Sequence, residues 1–181
     1  MENKIFYFST TGKSFWAALT LANKLTNCDI IAIKDYDTNE PIRAQKIGFI
    51  FPVFRGGLPN IIKHFLSELK IDGTPYIFSI YTYSYNEGIA SLQIREKMLS
   101  CDTPINAVFP LKMKEYHSYD DIFNENAILK MLLKAEKKLS QAAEIISAEQ
   151  NHLKNNFTLF SKHKHKNAVK LSLIKKKITI C

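Results

Sequence analysis

The sequence lacks any apolar run near the roughly 18 residues that a membrane-spanning helix requires. No membrane association is expected from it. Cysteine is sparse: Cys28, Cys101 and Cys181 stand far apart and form no CxxC pair. That spacing excludes the usual zinc and iron–sulfur ligand sets. The chain opens with Met-Glu-Asn-Lys and then a strand-like run, without the plan of a signal peptide. Few cysteines and no such signal predict a reduced, cytoplasmic protein. Acidic residues are missing from 150–181, which hold eight lysines and no Asp or Glu. Taking those eight from the 25 basic residues leaves 17 against 17 acidic ones in 1–149. The formal charge of +8 therefore belongs to the C-terminal segment, and the body is neutral. A neutral body with a basic appendage predicts no nucleic-acid partner.

What remains is ordinary globular composition, 46% hydrophobic and 23% charged, in a length that suits one domain. Strands are predicted at Lys4–Phe8, Asp29–Ile33, Lys46–Phe51, Pro75–Tyr81 and Ile105–Pro110. Helices are predicted at Lys13–Thr26, from Pro59 to Leu69, from about Ile89 to Ser100, and from Asn126 to about Glu149. Phe15, Leu19, Ala22 and Leu25 share one face of the first helix; Ile128, Leu132, Leu139, Ala143 and Ile146 face inward on the last. Near-continuous apolar strands alternating with helices mean an α/β fold with a parallel sheet covered on both faces. The division expected is a domain at 1–149 and a basic tail at 150–181, with short strands possible at Leu171–Ile174 and Ile178–Ile180.

The first loop carries the chemistry. Ile5–Phe8 stops at Ser9-Thr10-Thr11-Gly12-Lys13-Ser14, and a helical pattern begins at Phe15. A hydroxyl-rich turn at the positive end of a helix suits a phosphate. A hydroxyl-capped helix start is the other reading of the same residues. The P-loop pattern fails, because the glycine required five positions before Gly12 is Tyr7. The GxGxxG dinucleotide fingerprint is absent as well. Two further loops follow apolar strands. Pro52-Val53-Phe54-Arg55-Gly56-Gly57-Leu58-Pro59 concentrates glycine and proline, and Thr82-Tyr83-Ser84-Tyr85-Asn86-Glu87-Gly88 is polar and rich in tyrosine.

Ser9-Thr10-Thr11-Gly12-Lys13-Ser14 resembles the FMN phosphate loop of flavodoxins, of form Ser/Thr-x-Thr-Gly-x-Ser/Thr. Ile47–Phe54 and Gly57-Leu58-Pro59-Asn60-Ile61-Ile62 are similar to the flavodoxin half of bacterial flavodoxin–ferredoxin fusion proteins. The resemblance covers residues 1 to about 149 and lacks the ferredoxin half. It implies a flavodoxin-like doubly wound sheet of five parallel strands, order 2-1-3-4-5, with the ligand at the carboxyl ends of the strands.

The resemblance also assigns roles. Ser9, Thr10, Thr11, Gly12 and Ser14 would hold the phosphate, with Lys13 turned to solvent. Pro52, Val53, Phe54, Arg55, Gly56 and Gly57 would lie along one face of the flavin ring, with Phe54 the best stacking candidate. Thr82, Tyr83, Ser84, Tyr85, Asn86 and Gly88 would line the other face and the polar edge. Contact from the segment after the fifth strand, Met113 to Tyr119, is not expected, because it departs from the family's pattern. The activity implied is FMN-dependent electron transfer to a separate redox partner, such as a ferredoxin or a flavin reductase. Two other classes stay open: an FMN-dependent NAD(P)H/quinone-type oxidoreductase, and a flavin-free interaction module. No metal site is expected.

Overall fold

A computed structural model describes residues 2–114 and 125–153. Five strands form one sheet: β1 (Asn3–Tyr7), β2 (Cys28–Ala32), β3 (Lys46–Pro52), β4 (Tyr76–Tyr83) and β5 (Ala107–Lys112). All pairings are parallel, as expected from the alternation of elements, and the order is β2-β1-β3-β4-β5, as the resemblance implies. Four helices cover it: α1 (Lys13–Ala22), α2 (Asn60–Glu68), α3 (Ala90–Leu99) and α4 (Glu125–Ser147). The segments at 171–174 and 178–180, His163, His165, Tyr116 and Tyr119 lie outside the described residues.

Successive residues of a strand face opposite sides of the sheet, so two cores form. On one side α1 and α4 cover Ile5, Ile50, Phe78, Ile80 and Leu111. On the other, α2 and α3 cover Phe6, Phe49, Phe51, Ile77 and Tyr81. The segment after β2, polar in sequence, packs too: a 3-10 turn at Ile33–Asp35 sets the Tyr36 ring edge-on to Phe6 at 4.9 Å.

The buried face of the first helical segment is the expected one only in part: Ala22 and Leu25 are buried as expected. Ser14, Ala17, Ala18, Leu21 and Ala22 are buried, whereas Phe15 and Leu19 are each 42% exposed. Both sets recur at helical spacing. The small residues win because they let the helix lie close on the sheet, and close approach leaves no room for larger groups. In α4, Leu139, Ala143 and Ile146 are buried as expected, and Ile128 and Leu132 only half so. The fourth strand runs two residues further than its apolar run indicates, taking in Thr82 and Tyr83.

Beyond α4 the chain turns at Glu149, whose φ is +52°, and crosses beneath the amino ends of the strands. There Glu149 pairs with Lys46, the buried first residue of β3, and the Tyr76 hydroxyl donates to the Gln150 carbonyl at 2.7 Å. His152 then bridges the outer edge of β5 in parallel. It accepts from the Val108 N–H at 2.9 Å, donates to the Asn106 carbonyl at 2.9 Å, and stacks on Phe109 at 4.9 Å.

The hydrogen bond from Lys46 holds the Glu149 carboxyl below its ordinary value of 4.5. Its stabilising contribution is therefore present above about pH 5 and is lost as pH falls through the lowered folded value. Glu149→Gln leaves the ammonium buried and unpaired, and should cost about 1–2 kcal/mol, discounted because the carboxylate is half exposed. Lys46→Met should cost less. Urea unfolding at pH 7 and pH 3.5 measures both; the gap between wild type and Glu149→Gln should narrow at the lower pH.

Candidate functional site

The strand order reverses between β1 and β3, so the crossovers from these two strands leave toward opposite faces and a crevice opens at their carboxyl ends. The loops after β1, β3 and β4 meet there around a cleft of about 400 Å³. Thr10, Thr11 and Lys13 line it from the first loop, and Pro52, Val53, Arg55 and Gly56 from the second. Thr82, Tyr83, Ser84, Tyr85 and Asn86 line it from the third. Three stretches chosen on sequence thus face one space. A second cavity, about 300 Å³, lies at the β5 edge between α3 and α4, away from the hydroxyl-rich loop.

The first loop is open toward a ligand. Gly12 occupies the position before α1 with φ +80°, and no side chain caps the helix. The first helical bond runs from the Trp16 N–H to the Gly12 carbonyl at 2.8 Å. The N–H groups of the first turn therefore look out into the loop, and the capped-start reading does not describe this helix. The Ser9 hydroxyl is buried without a hydrogen-bond partner among the described residues. A buried hydroxyl left unsatisfied is destabilising unless something arrives to meet it.

Two residues of this loop behave differently from expectation. The Ser14 hydroxyl, 2% exposed, bonds the Thr82 hydroxyl at 2.9 Å, which ties the loop to the end of β4. The Lys13 ammonium does not run to solvent. It donates to the Lys114 carbonyl at 2.9 Å, because β5 ends close to the start of α1 and offers an acceptor there.

The second loop is a tight reversal. Phe54 and Gly57 exchange both backbone hydrogen bonds at 2.9 Å, and the two residues between them have positive φ, +50° for Arg55 and +73° for Gly56. Those signs define a type I′ turn. Phe54, which opens the turn, is 57% exposed and so is not a core residue, and it does not line the cleft. Gly57 lies against the Gln93 side chain, whose carbonyl accepts the Leu58 N–H at 2.7 Å.

The third loop is fixed on the second by bare backbone. The Ile89 N–H donates to the Gly56 carbonyl at 2.8 Å. A Cβ on Gly88 would overlap that carbonyl, and Gly88 also has φ +58°. From below, the Tyr81 hydroxyl donates to Glu87 at 2.6 Å. Burial, then the Glu87 bond and charge, push the Tyr81 phenol well above its ordinary range, so it stays a donor. Tyr85 is 73% exposed at the mouth; Tyr83 is half-buried against Tyr81, with its phenol pushed up mainly by burial.

Met113 lines the cleft, although no contact from its segment is expected on sequence. It is 2% exposed, and its N–H bonds the Tyr83 carbonyl at 2.8 Å. The available signal was an apolar residue just past an apolar strand, at the end of the sheet where ligands bind. Among the described residues, the lining includes two cations, Lys13 and Arg55, and no carboxylate. Among the described residues no group of His, Cys, Asp and Glu could hold a metal ion, and no helix is long and apolar enough to cross a membrane.

No family model and no curated protein matches the sequence. Solved structures do match. A flavodoxin from Streptococcus pneumonia TIGR4 is 17% identical, covers 82% of this chain and 99% of its own, and superposes with a TM-score of 0.59. The fold is flavodoxin-like. An archaeal flavodoxin is 19% identical, with 81% of this chain and 99% of its own covered and a TM-score of 0.56. An FMN-dependent NADH-azoreductase from Bacillus anthracis str. Ames Ancestor, in complex with FMN, is 10% identical, with coverage of 81% and 99% and a TM-score of 0.54.

The two glycines make different demands. Gly12→Ala meets nothing within 4 Å and strains only the backbone, so it should cost about 1 kcal/mol. Gly88→Ala adds a clash with the Gly56 carbonyl and should cost about 3 kcal/mol or more. Chemical denaturation of the two variants should rank them in that order.

Proposed function

We propose that this protein binds FMN in the three-loop cleft and acts as a flavodoxin-like electron carrier for a separate redox partner. One observation carries the proposal. The cleft pairs an uncapped helix N-terminus and an unsatisfied Ser9 hydroxyl with a lining that holds two cations and no carboxylate. In a body of zero formal charge, that is a site built for an anion with apolar surface attached. The residues fit the group. Ser9, Thr10, Thr11, Gly12 and the first-turn N–H groups would hold the phosphate. Pro52, Val53, Phe54, Arg55, Gly56 and Gly57 would support one face of the ring; Tyr83, Ser84, Tyr85 and Asn86 would support the other face and its polar edge. Bound FMN supplies one- or two-electron transfer. The chain's part is to orient the ring, screen it from water with the tyrosine loop, and set its potential. Flavodoxins and an FMN-bound azoreductase with this sheet support the reading.

The resemblance to the flavodoxin half of fusion proteins favours a ferredoxin or a flavin reductase as that partner. The lysines of 150–181 favour an acidic surface on that partner.

The test is the visible spectrum of the purified protein after incubation with FMN and desalting. A flavin spectrum that survives desalting is expected. A protein that stays colourless would make the cleft a scaffold for interactions only. Electron exchange with an acidic ferredoxin should slow several-fold between 50 and 300 mM salt, as expected of roughly two to four screened charge pairs. A rate independent of salt would remove the basic segment from docking.

A further inference from the structure

We propose that Arg55 is held in an unfavourable backbone conformation in order to keep a positive charge on the cleft wall, where it raises the reduction potential of the bound flavin. The inference rests on the FMN reading above and deepens it.

The first observation is conformational. Arg55 has φ +50°, in the left-handed region, at the first central position of a type I′ turn. Glycine, asparagine and aspartate dominate that position, because any larger side chain there crowds the following carbonyl. The neighbouring position follows the rule, with Gly56 at φ +73°. An arginine in this place loses backbone energy that a glycine would keep.

The second observation is where the side chain stands. Arg55 lines the cleft, and no carboxylate among the described residues pairs with it. It is exposed at the apex of the turn.

The third is that the turn cannot relax away. Phe54 and Gly57 close it by two bonds, and Gly56 is bonded to the Ile89 N–H and pressed against Gly88. The guanidinium is thus delivered to one wall by backbone that is itself fixed. Adding an electron to a flavin adds negative charge, and a nearby cation stabilises the reduced form by Coulomb attraction. Guanidinium is suited to this role, because it stays charged at every accessible pH.

Three variants separate charge from structure: Arg55→Gly, Arg55→Lys and Arg55→Glu. Each is loaded with FMN and its midpoint potential is measured by spectroelectrochemical titration; thermal unfolding is followed without FMN. Arg55→Gly should lower the equilibrium constant for one-electron reduction about tenfold, about 59 mV. It should also raise the melting temperature by about 2–4 °C, since the turn loses its strain. Arg55→Lys should restore the potential, and Arg55→Glu should lower it further. A midpoint potential unchanged in Arg55→Gly, or equally lowered in Arg55→Lys, overturns the proposal. So does an Arg55→Gly protein less stable than wild type, which would give the arginine a structural role. Wild-type protein that retains no FMN overturns the flavin reading itself and this inference with it, an outcome visible before any variant is made.

Discussion

Parallel pairing on both sides of β1 is the constraint on which the rest of the molecule depends. Because β2 and β3 flank it, the chain must cross to one face after β1 and to the other after β3. Every strand also delivers its carboxyl end to the same end of the sheet. A crevice there is unavoidable, and so is its furnishing: the loops after β1, β3 and β4 and the positive end of α1. The two cores are the counterpart of this arrangement. They hold the strands so firmly from either face that the loops need little packing of their own.

What the loops have instead is backbone contact. Gly56 and Gly88 touch without side chains between them, and the Ile89 N–H bonds across the gap. Contacts of this kind immobilise no long side chain, although fixing two glycines costs more backbone entropy than fixing other residues. The Ser14–Thr82 hydroxyl pair and the Lys13–Lys114 bond extend the same principle to the first loop and to the end of β5. The cleft is thus a ring of short links around a fixed opening, which is preorganisation for a ligand rather than closure upon one.

Much of this was legible in the residues. The apolar runs gave the five strands, and the position of Ser9–Ser14 between a strand and a helix located the first loop. Glycine and proline in 52–59 and tyrosine in 82–88 located the other two. Other features lay beyond reach for physical reasons. Small and large apolar residues in α1 recur with the same period, and only the distance to the sheet decides which set is buried. The Tyr36 and His152 contacts are made with residues remote in sequence, so nothing local announces them. Lys13 was misdirected because its acceptor, the Lys114 carbonyl, is a backbone atom 101 residues away. Met113 follows the same logic: its place in the cleft is set by the β4–β5 register and not by its own type.

The outer edge of β5 carries a consequence for how molecules of this protein meet each other. Backbone groups that point outward on that edge alternate, and His152 takes up the first N–H, that of Val108. The next outward position is Pro110, which has no N–H to give. Among the described residues, a single bridging residue and a proline therefore interrupt the pairing capacity of that edge. At the other edge, β2, the exposed Asp29 carboxylate stands second in an otherwise apolar strand, where it would repel a second copy of itself. Edge-to-edge addition is thus disfavoured at both rims of the sheet, by the His152 main chain, a proline and one carboxylate, independently of anything bound at its top.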